Sequence, residues 1–596
     1  MTKFIEPAEH LPAWLGEPVD AASAMSGLPS DQLRLLVCLL AALPLGWFFR
    51  ALPGKSAKHL FSVVVGAFFS WFVVGNTFVH VPLSALLVYV LVQVLPRRLA
   101  PTVVFVTTVG WLSALHIWRL YVDYMGWSLD ATMLLMIWTA KASMFAYNVA
   151  DGQALNAGLK LSERESTHIF RAERAITQLP SLLEYFSYVF FFGGVLVGPC
   201  FEAKEFFDFV DGSLQRKHGL ASLPSSILPS LKCALLGVSM YAGMFIFGLY
   251  PLMGVVNSEA FGTMPFLQRF TYFWISITSS RFRYYFAWYF GDAGCVATGF
   301  GFNGVKKNKA GEITGYKWDR VSNCNVLAVE SAPHMSDVTN NWNMGVNNWL
   351  KNYVYFRVEA PRFIVKAGLP QKSFMNLVTK VTSAFWHGFY PSYYVFFIGA
   401  WLAGEMDEAL RASFEPADSM TPERKKARAA SWWKGPTNLY ELLSWTCCIT
   451  VLNFWGVTFV LLRADYAWAF AKNMYFLGVI LPVVVVALCR TVFRRKRAKR
   501  EAPAAISVTP GAAVASPTPS GSPPAQVVSA VHISSASPLA PLPTHDVLPA
   551  PAPARVTRKS SKAEPAIVEA EDDADVGSPA DRVKQRPRRS RSNKAE

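Results

Sequence analysis

The chain is 596 residues long, 52% hydrophobic, 14% aromatic and only 16% charged, which excludes an ordinary soluble protein of this size and implies a polytopic membrane protein. Its net charge of +16 invites nucleic acid as a partner, but the tail from residue 501 onward nearly balances its acids and bases. The surplus cations therefore flank the membrane, where they orient the chain and attract anionic headgroups or an anionic substrate, and no nucleic-acid partner is expected.

Residues 1–32 carry Glu6, Glu9, Glu17, Asp20 and Asp31 against Lys3 and read as a lumenal segment. No basic stretch there runs directly into a short apolar one, so the first span is expected to serve as the targeting signal. Against a norm of roughly 17 to 25 apolar residues per span, candidate crossings fall at Leu33–Phe49, Leu60–Val79, Leu83–Leu95, Thr102–Tyr121, Leu129–Tyr147, Leu182–Val197, Leu231–Gly254, Phe266–Tyr289, Met375–Trp401, Tyr440–Leu462 and Tyr475–Cys489. Cations follow alternate spans: Arg50, Lys55 and Lys58, then Arg97 and Arg98, then Lys160, Arg164, Arg171 and Arg174. Short cytoplasmic loops retain such residues, which puts the amino terminus in the lumen. The last span leaves into Arg494-Arg-Lys-Arg-Ala-Lys-Arg500, a cytoplasmic stop signal. Opposite termini need an odd number of crossings, and about eleven satisfies this.

Between Gly291 and Ser373 no clear span occurs, although the segment is too aromatic for disorder. Thr298-Gly-Phe-Gly-Phe-Asn-Gly304 lacks the strand-turn-helix context of a dinucleotide site and reads as turns between helices. Short amphipathic helices packed into the mouth of a cavity are expected, because membranes tolerate irregular backbone there. Residues 491–596 comprise the basic stop segment and a Pro/Ala/Ser-rich tail whose composition predicts disorder. The eight cysteines form no CxxC pair, so neither a disulfide framework nor a metal site is implied.

Within Ser383-Ala-Phe-Trp-His-Gly-Phe-Tyr-Pro-Ser-Tyr-Tyr394 stands His387, an ionisable residue in an apolar run. Charged groups at such depth cost about 2.5 kcal/mol or more, and a side chain retained there is by default functional. Upstream lies Asn340-Asn-Trp-Asn-Met-Gly-Val-Asn-Asn-Trp-Leu-Lys-Asn-Tyr-Val-Tyr355. A histidine and an asparagine with no Ser or Cys nucleophile placed beside them suit direct transfer: imidazole takes the proton of an attacking hydroxyl, and a carboxamide donates to the developing oxyanion. Depth and composition do not rank Asn343, Asn347 and Asn348. His116, in Trp111-Leu-Ser-Ala-Leu-His-Ile-Trp118, lies equally deep with no polar motif around it and reads as structural.

Further segments align with these: Lys141-Ala-Ser-Met-Phe-Ala-Tyr-Asn-Val-Ala-Asp-Gly152, Leu179-Pro-Ser-Leu-Leu-Glu-Tyr185 with Gly198-Pro-Cys-Phe-Glu202, Arg281-Phe-Arg-Tyr-Tyr-Phe-Ala-Trp288, Gly299-Phe-Gly-Phe302, and Trp318-Asp319 with Asn323. In this order the set resembles the membrane-bound O-acyltransferase family, in particular its lysophospholipid acyltransferase branch. The resemblance spans Asp31 to Cys489 and leaves out the tail. It implies an all-α bundle of about eleven transmembrane helices around a catalytic tunnel, with its transmembrane core over residues 33–490. The implied enzyme moves a fatty acyl group from acyl-CoA to the free hydroxyl of a lysophospholipid, in phospholipid remodelling. It implies His387 and Asn343 as the catalytic pair. Trp342, Asn348, Trp349, Tyr353, Trp386 and Tyr394 would line the substrate, and Lys351, Arg357 and Arg320 are candidates for the CoA phosphates by charge. Acyl-CoA would be a co-substrate with no tightly bound cofactor, membrane lipids and a lysophospholipid the partners, a homodimer an open question, and the endoplasmic reticulum the location. Other family acceptors (diacylglycerol, sterol or protein) and a lipid transporter are the competing readings.

Overall fold

The computed structural model describes residues 11–493 apart from 163–164, 249–250, 253, 416–430, 432 and 434. The expected stop signal and disordered tail lie outside them. In chain order the helices are α1 (Ala13–Ser26), α2 (Ser30–Ala51), α3 (Gly54–Val74), α4 (His80–Val94), α5 (Ala100–Val122), α6 (Ala131–Asn156), α7 (Glu165–Arg174), α8 (Leu182–Val189), α9 (Ala203–Val210), α10 (Ser213–Arg216), α11 (Ile227–Phe247), α12 (Glu259–Thr263) and α13 (Phe266–Thr298). Then follow a hairpin of β1 (Val305–Lys307) and β2 (Ile313–Tyr316), α14 (Val326–Glu330), α15 (Met335–Asn341), α16 (Met344–Trp349), α17 (Arg362–Lys366), α18 (Gln371–His387), α19 (Pro391–Phe414), α20 (Leu439–Leu461), α21 (Ala464–Asn473) and α22 (Leu477–Leu488).

By length and composition, five helical stretches among the described residues could cross a membrane: Ser30–Ala51, Gly54–Val94, Ala100–Val122, Ile227–Phe247 and Leu439–Leu461. A sixth is obtained if Ala464–Asn473 and Leu477–Phe493, bent by 65°, make one broken span. The chain is thus a multi-pass membrane protein. α11 shows the lipid-facing pattern, with Leu228, Leu235, Phe245 and Ile246 exposed. Its inward side carries Gly237 and Gly243, where a Cβ would come within 2.6 Å of the Phe290 ring and 2.8 Å of the Phe282 ring. Small residues of this kind let membrane helices pack closely.

Several expected spans take another form. Leu182–Val197 does not form one helix: α8 opens on a Ser181/Glu184 capping box and ends at Val189, giving a rise of only about 12 Å. Met375–Trp401 is two helices, because Gly388 adopts φ +120° and Pro391 opens α19. α6 and α13 are long, but they bury charged side chains, Lys141 and Asp151 on one, Arg269, Arg281 and Asp292 on the other. They are interior helices, buried on several faces. The irregular segment after α13 is built of short helices as expected, with the β1–β2 hairpin unforeseen.

Two large apolar clusters make the core. One gathers α2 to α6, the 185–214 region, Trp349, Tyr353 and Trp386; the other gathers the first half of α13, α19, α20 and α21. The α18–α19 break lies at the seam, with Trp386 in the first cluster and Phe396 packed on the second.

Candidate active site

His387 is the last residue of α18, one residue before Gly388 turns the chain. Its imidazole lies among aromatic rings, 5.7 Å from Tyr393, 5.4 Å from Phe397 and 5.1 Å from Phe459, centroid to centroid. No described protein group hydrogen-bonds to it, yet neither ring nitrogen is sealed from open space.

Asn343 precedes α16 and has φ +43°. Asparagine tolerates this left-handed conformation better than most side-chain-bearing residues. The flanking backbone is pinned: Met344 N–H donates to the Asn323 carbonyl (2.8 Å), Gly345 N–H to Asn323 Oδ1 (3.3 Å) and Asn347 N–H to the Asn343 carbonyl (2.9 Å). Asn323 is itself fixed, its N–H donating to the buried Asp292 carboxylate at 3.0 and 3.2 Å. A Cβ on Gly345 would lie 2.5 Å from the Cys200 carbonyl oxygen, so α16 can sit this close only with glycine there. The Asn343 carboxamide, like the imidazole, has no described protein partner and is not sealed from open space. Beside Asn343, Trp342 packs on Trp288 at 4.8 Å and on Tyr284 at 5.8 Å. No hydrogen bond joins His387 to Asn343 directly.

Trp349 and Trp386 come together, with ring centroids 6.0 Å apart. Both line an apolar cavity of about 310 Å³ with Phe105, Val109, Val381 and Phe385. Both are anchored at their polar ends, Trp349 Nε1 donating to Ser143 Oγ and Trp386 Nε1 to the Met136 carbonyl, each at 2.7 Å. Tyr394 meets Phe385 edge to face at 5.7 Å, beside that wall.

Tyr353 enters a different, polar cluster. Its hydroxyl lies 2.9 Å from Asn148 Oδ1 and from both Glu202 oxygens. Arg174 stands 3.6 Å from Glu202, while Arg171 and Arg357 pair with Asp151. Burial pushes the Glu202 carboxyl up to about 7, against the opposing pull of Arg174 and the Asn148 hydrogen bond. Of the three candidate phosphate-binding cations, Arg357 is taken up by Asp151 and the Tyr147 ring, and Arg320 by Glu205 and the Phe302 carbonyl. Lys351 and Asn348 are exposed.

Sequence reasoning passed over Asp292; it singled out Glu202, Asn148, Asp151, Tyr353 and Arg357 in separate segments without foreseeing that they meet in one cluster. It also read His116 as having no polar surroundings. In the structure His116 Nε2 is 3.2 Å from the Trp386 carbonyl oxygen, so that histidine touches the backbone carrying His387.

The description "MBOAT, membrane-bound O-acyltransferase family" matches residues 117–424, a stretch containing Asn343, Trp349, Trp386 and His387. Lysophospholipid acyltransferase 6 of Drosophila melanogaster is 33% identical over 391 residues, 63% of this chain and 51% of its own length; the chain thus spans about half of that relative. Lysophospholipid acyltransferase 2 of Arabidopsis thaliana is 27% identical over 478 residues, covering 79% of this chain and 95% of the relative. Membrane-bound glycerophospholipid O-acyltransferase 2 of Rattus norvegicus is 27% identical over 480 residues, covering 77% and 85% respectively. With the matched family region enclosing both unpaired polar side chains, the chain belongs to the membrane-bound O-acyltransferase family, and it is similar to the lysophospholipid acyltransferases of that family.

Proposed function

We propose that this protein transfers a fatty acyl group from acyl-CoA to the free hydroxyl of a lysophospholipid. The observation that carries the reading is His387, unpaired among the described residues and set among the rings of Tyr393, Phe397 and Phe459, with the Asn343 carboxamide likewise lacking a described protein partner. The relatives' names supply the substrate class.

In this mechanism His387 accepts the hydroxyl proton as the acceptor oxygen attacks the thioester carbonyl carbon. The carbonyl oxygen gains negative charge, and the Asn343 carboxamide N–H donates to it. As the carbonyl re-forms, the carbon–sulfur bond breaks and the imidazolium returns its proton to the departing CoA sulfur, giving phospholipid and CoA-SH. The apolar cavity beside Trp349 and Trp386 suits a hydrocarbon chain. We further propose the endoplasmic reticulum membrane as the location, amino terminus lumenal and carboxyl terminus cytoplasmic, a reading supported by the alternation of Lys and Arg between the loops of the first five expected spans.

The test is transfer from labelled oleoyl-CoA in purified membranes to a panel of lysophospholipids, diacylglycerol and sterol, with His387→Ala beside the wild type. Transfer to a lysophospholipid that disappears in a folded variant supports the reading and names the headgroup. Transfer confined to diacylglycerol or sterol would replace the acceptor, and retained turnover in the variant would remove His387 from the chemistry.

A further inference from the structure

Among the described residues His387 makes no hydrogen bond that would fix its own ring, so beyond the aromatic rings around it its placement depends on the backbone at Trp386 and Gly388. That backbone is where α18 ends. The last carbonyls of a helix lose their intrahelical donors, and at Trp386 the donor four residues on would be Tyr390, which instead precedes α19. The Trp386 carbonyl faces Nε2 of His116 at 3.2 Å. On the other side of His387, a Cβ at Gly388 would lie 3.2 Å from both Cγ and Nδ1 of His116, so the imidazole packs directly against that glycine. One buried ring on α5, only 8% exposed, thus touches the chain immediately before and immediately after His387.

We propose that His116 is a positioning residue of the transfer reaction: as the Nε2–H tautomer it donates to the Trp386 carbonyl, packs on Gly388, and thereby sets the direction of the His387 imidazole. This inference rests on the functional reading above. His116 faces backbone and takes no proton from substrate. It acts through His387, so its loss lowers the rate of the chemical step and leaves substrate affinity in place.

Two variants matched in volume separate this role from packing. His116→Gln keeps an N–H donor near the Nε2 position, and His116→Leu removes it. His116→Leu is expected to lower kcat by about 10- to 100-fold, the order that a displacement of about 1 Å costs. KM for both substrates should stay within about twofold, and His116→Gln should recover kcat to within about threefold of wild type. The pH–rate profile should keep its shape in both variants, since the titrating group remains His387. Full kcat in His116→Leu, or equal impairment of the Leu and Gln variants through either turnover or folded yield, would overturn the proposal, as would a profile that loses a limb. A wild-type enzyme inactive on every lysophospholipid would sink the functional reading instead, whereas an active wild type beside an unaffected Leu variant removes His116 alone.

Discussion

Replacing His387 by alanine should cost about 10²- to 10⁴-fold in kcat, the range over which a positioned general base contributes, with the melting temperature in detergent held. Asn343→Ala should cost about 10²- to 10³-fold, as loss of one oxyanion donor does. Single-turnover acyl transfer measures both, and an Asn343→Ala enzyme at full speed would contradict its role as donor. The two residues were not equally legible in sequence. His387 stands out because imidazole is rare in an apolar run. Asn343 does not separate from Asn347 and Asn348 by composition; the left-handed turn at 343 leaves the Asn343 carboxamide unpaired, while Asn348 is exposed. Only the family resemblance singled it out.

On the scale of elements, the site depends on short pieces held by close backbone approach. Gly345→Ala puts a methyl group 2.5 Å from the Cys200 carbonyl oxygen and should destabilise by about 1–3 kcal/mol, the usual cost of overpacking, while displacing α16 and lowering turnover. Gly110→Ala on α5, where nothing lies within 4 Å, is the matched control. It should be neutral or slightly stabilising, since alanine is the better helix former. A Gly345→Ala protein as stable and active as Gly110→Ala would show that the contact with Cys200 is not needed. The break between α18 and α19 was hidden in sequence because Met375–Trp401 reads as one continuous span. Gly388 and Pro391 were its only local marks, and hydropathy gives them little weight. The β1–β2 hairpin escaped for another reason: strands of three and four residues with mostly exposed side chains offer no apolar alternation to read.

Taken as a whole, the molecule was legible as a multi-pass helical protein, because apolar composition reports its solvent directly. The interior polar clusters were not, since their members lie far apart in the chain, Asn148 and Tyr353 by 205 residues. The Glu202 cluster, outside the spanning segments, gives stability a pH dependence. Burial raises its folded pKa from 4.5 to about 7, so between those values the folded protein holds a proton that the unfolded chain releases. Its contribution is full below the unfolded value and is lost as pH rises through about 7. Melting temperature in detergent should accordingly fall from about pH 5 to about pH 8, and Glu202→Gln should remove that part of the slope; an identical slope in the variant would assign it elsewhere. All candidate site residues precede residue 493, so truncation after Arg500 should preserve turnover in microsomes. A folded but inactive truncation would make the tail part of the enzyme.

Arg281 on α13 forms a two-pronged pair with Glu330, at 2.7 and 2.6 Å, and also donates to Asn453 Oδ1 at 2.6 Å. These partners are made 49 and 172 residues later in synthesis. At roughly 5–20 residues per second, the guanidinium waits a few seconds for its carboxylate and on the order of ten to thirty seconds for its amide. During that interval α13 bears an uncompensated cation, which would cost about 2.5–3.5 kcal/mol were it exposed to the middle of a bilayer. α13 is therefore expected to be held less firmly in place until the later helices emerge. Glu330→Gln should act during biosynthesis, lowering the yield of inserted protein and lengthening its contact with the translocon, with the molecules that do complete folding retaining their catalytic rate.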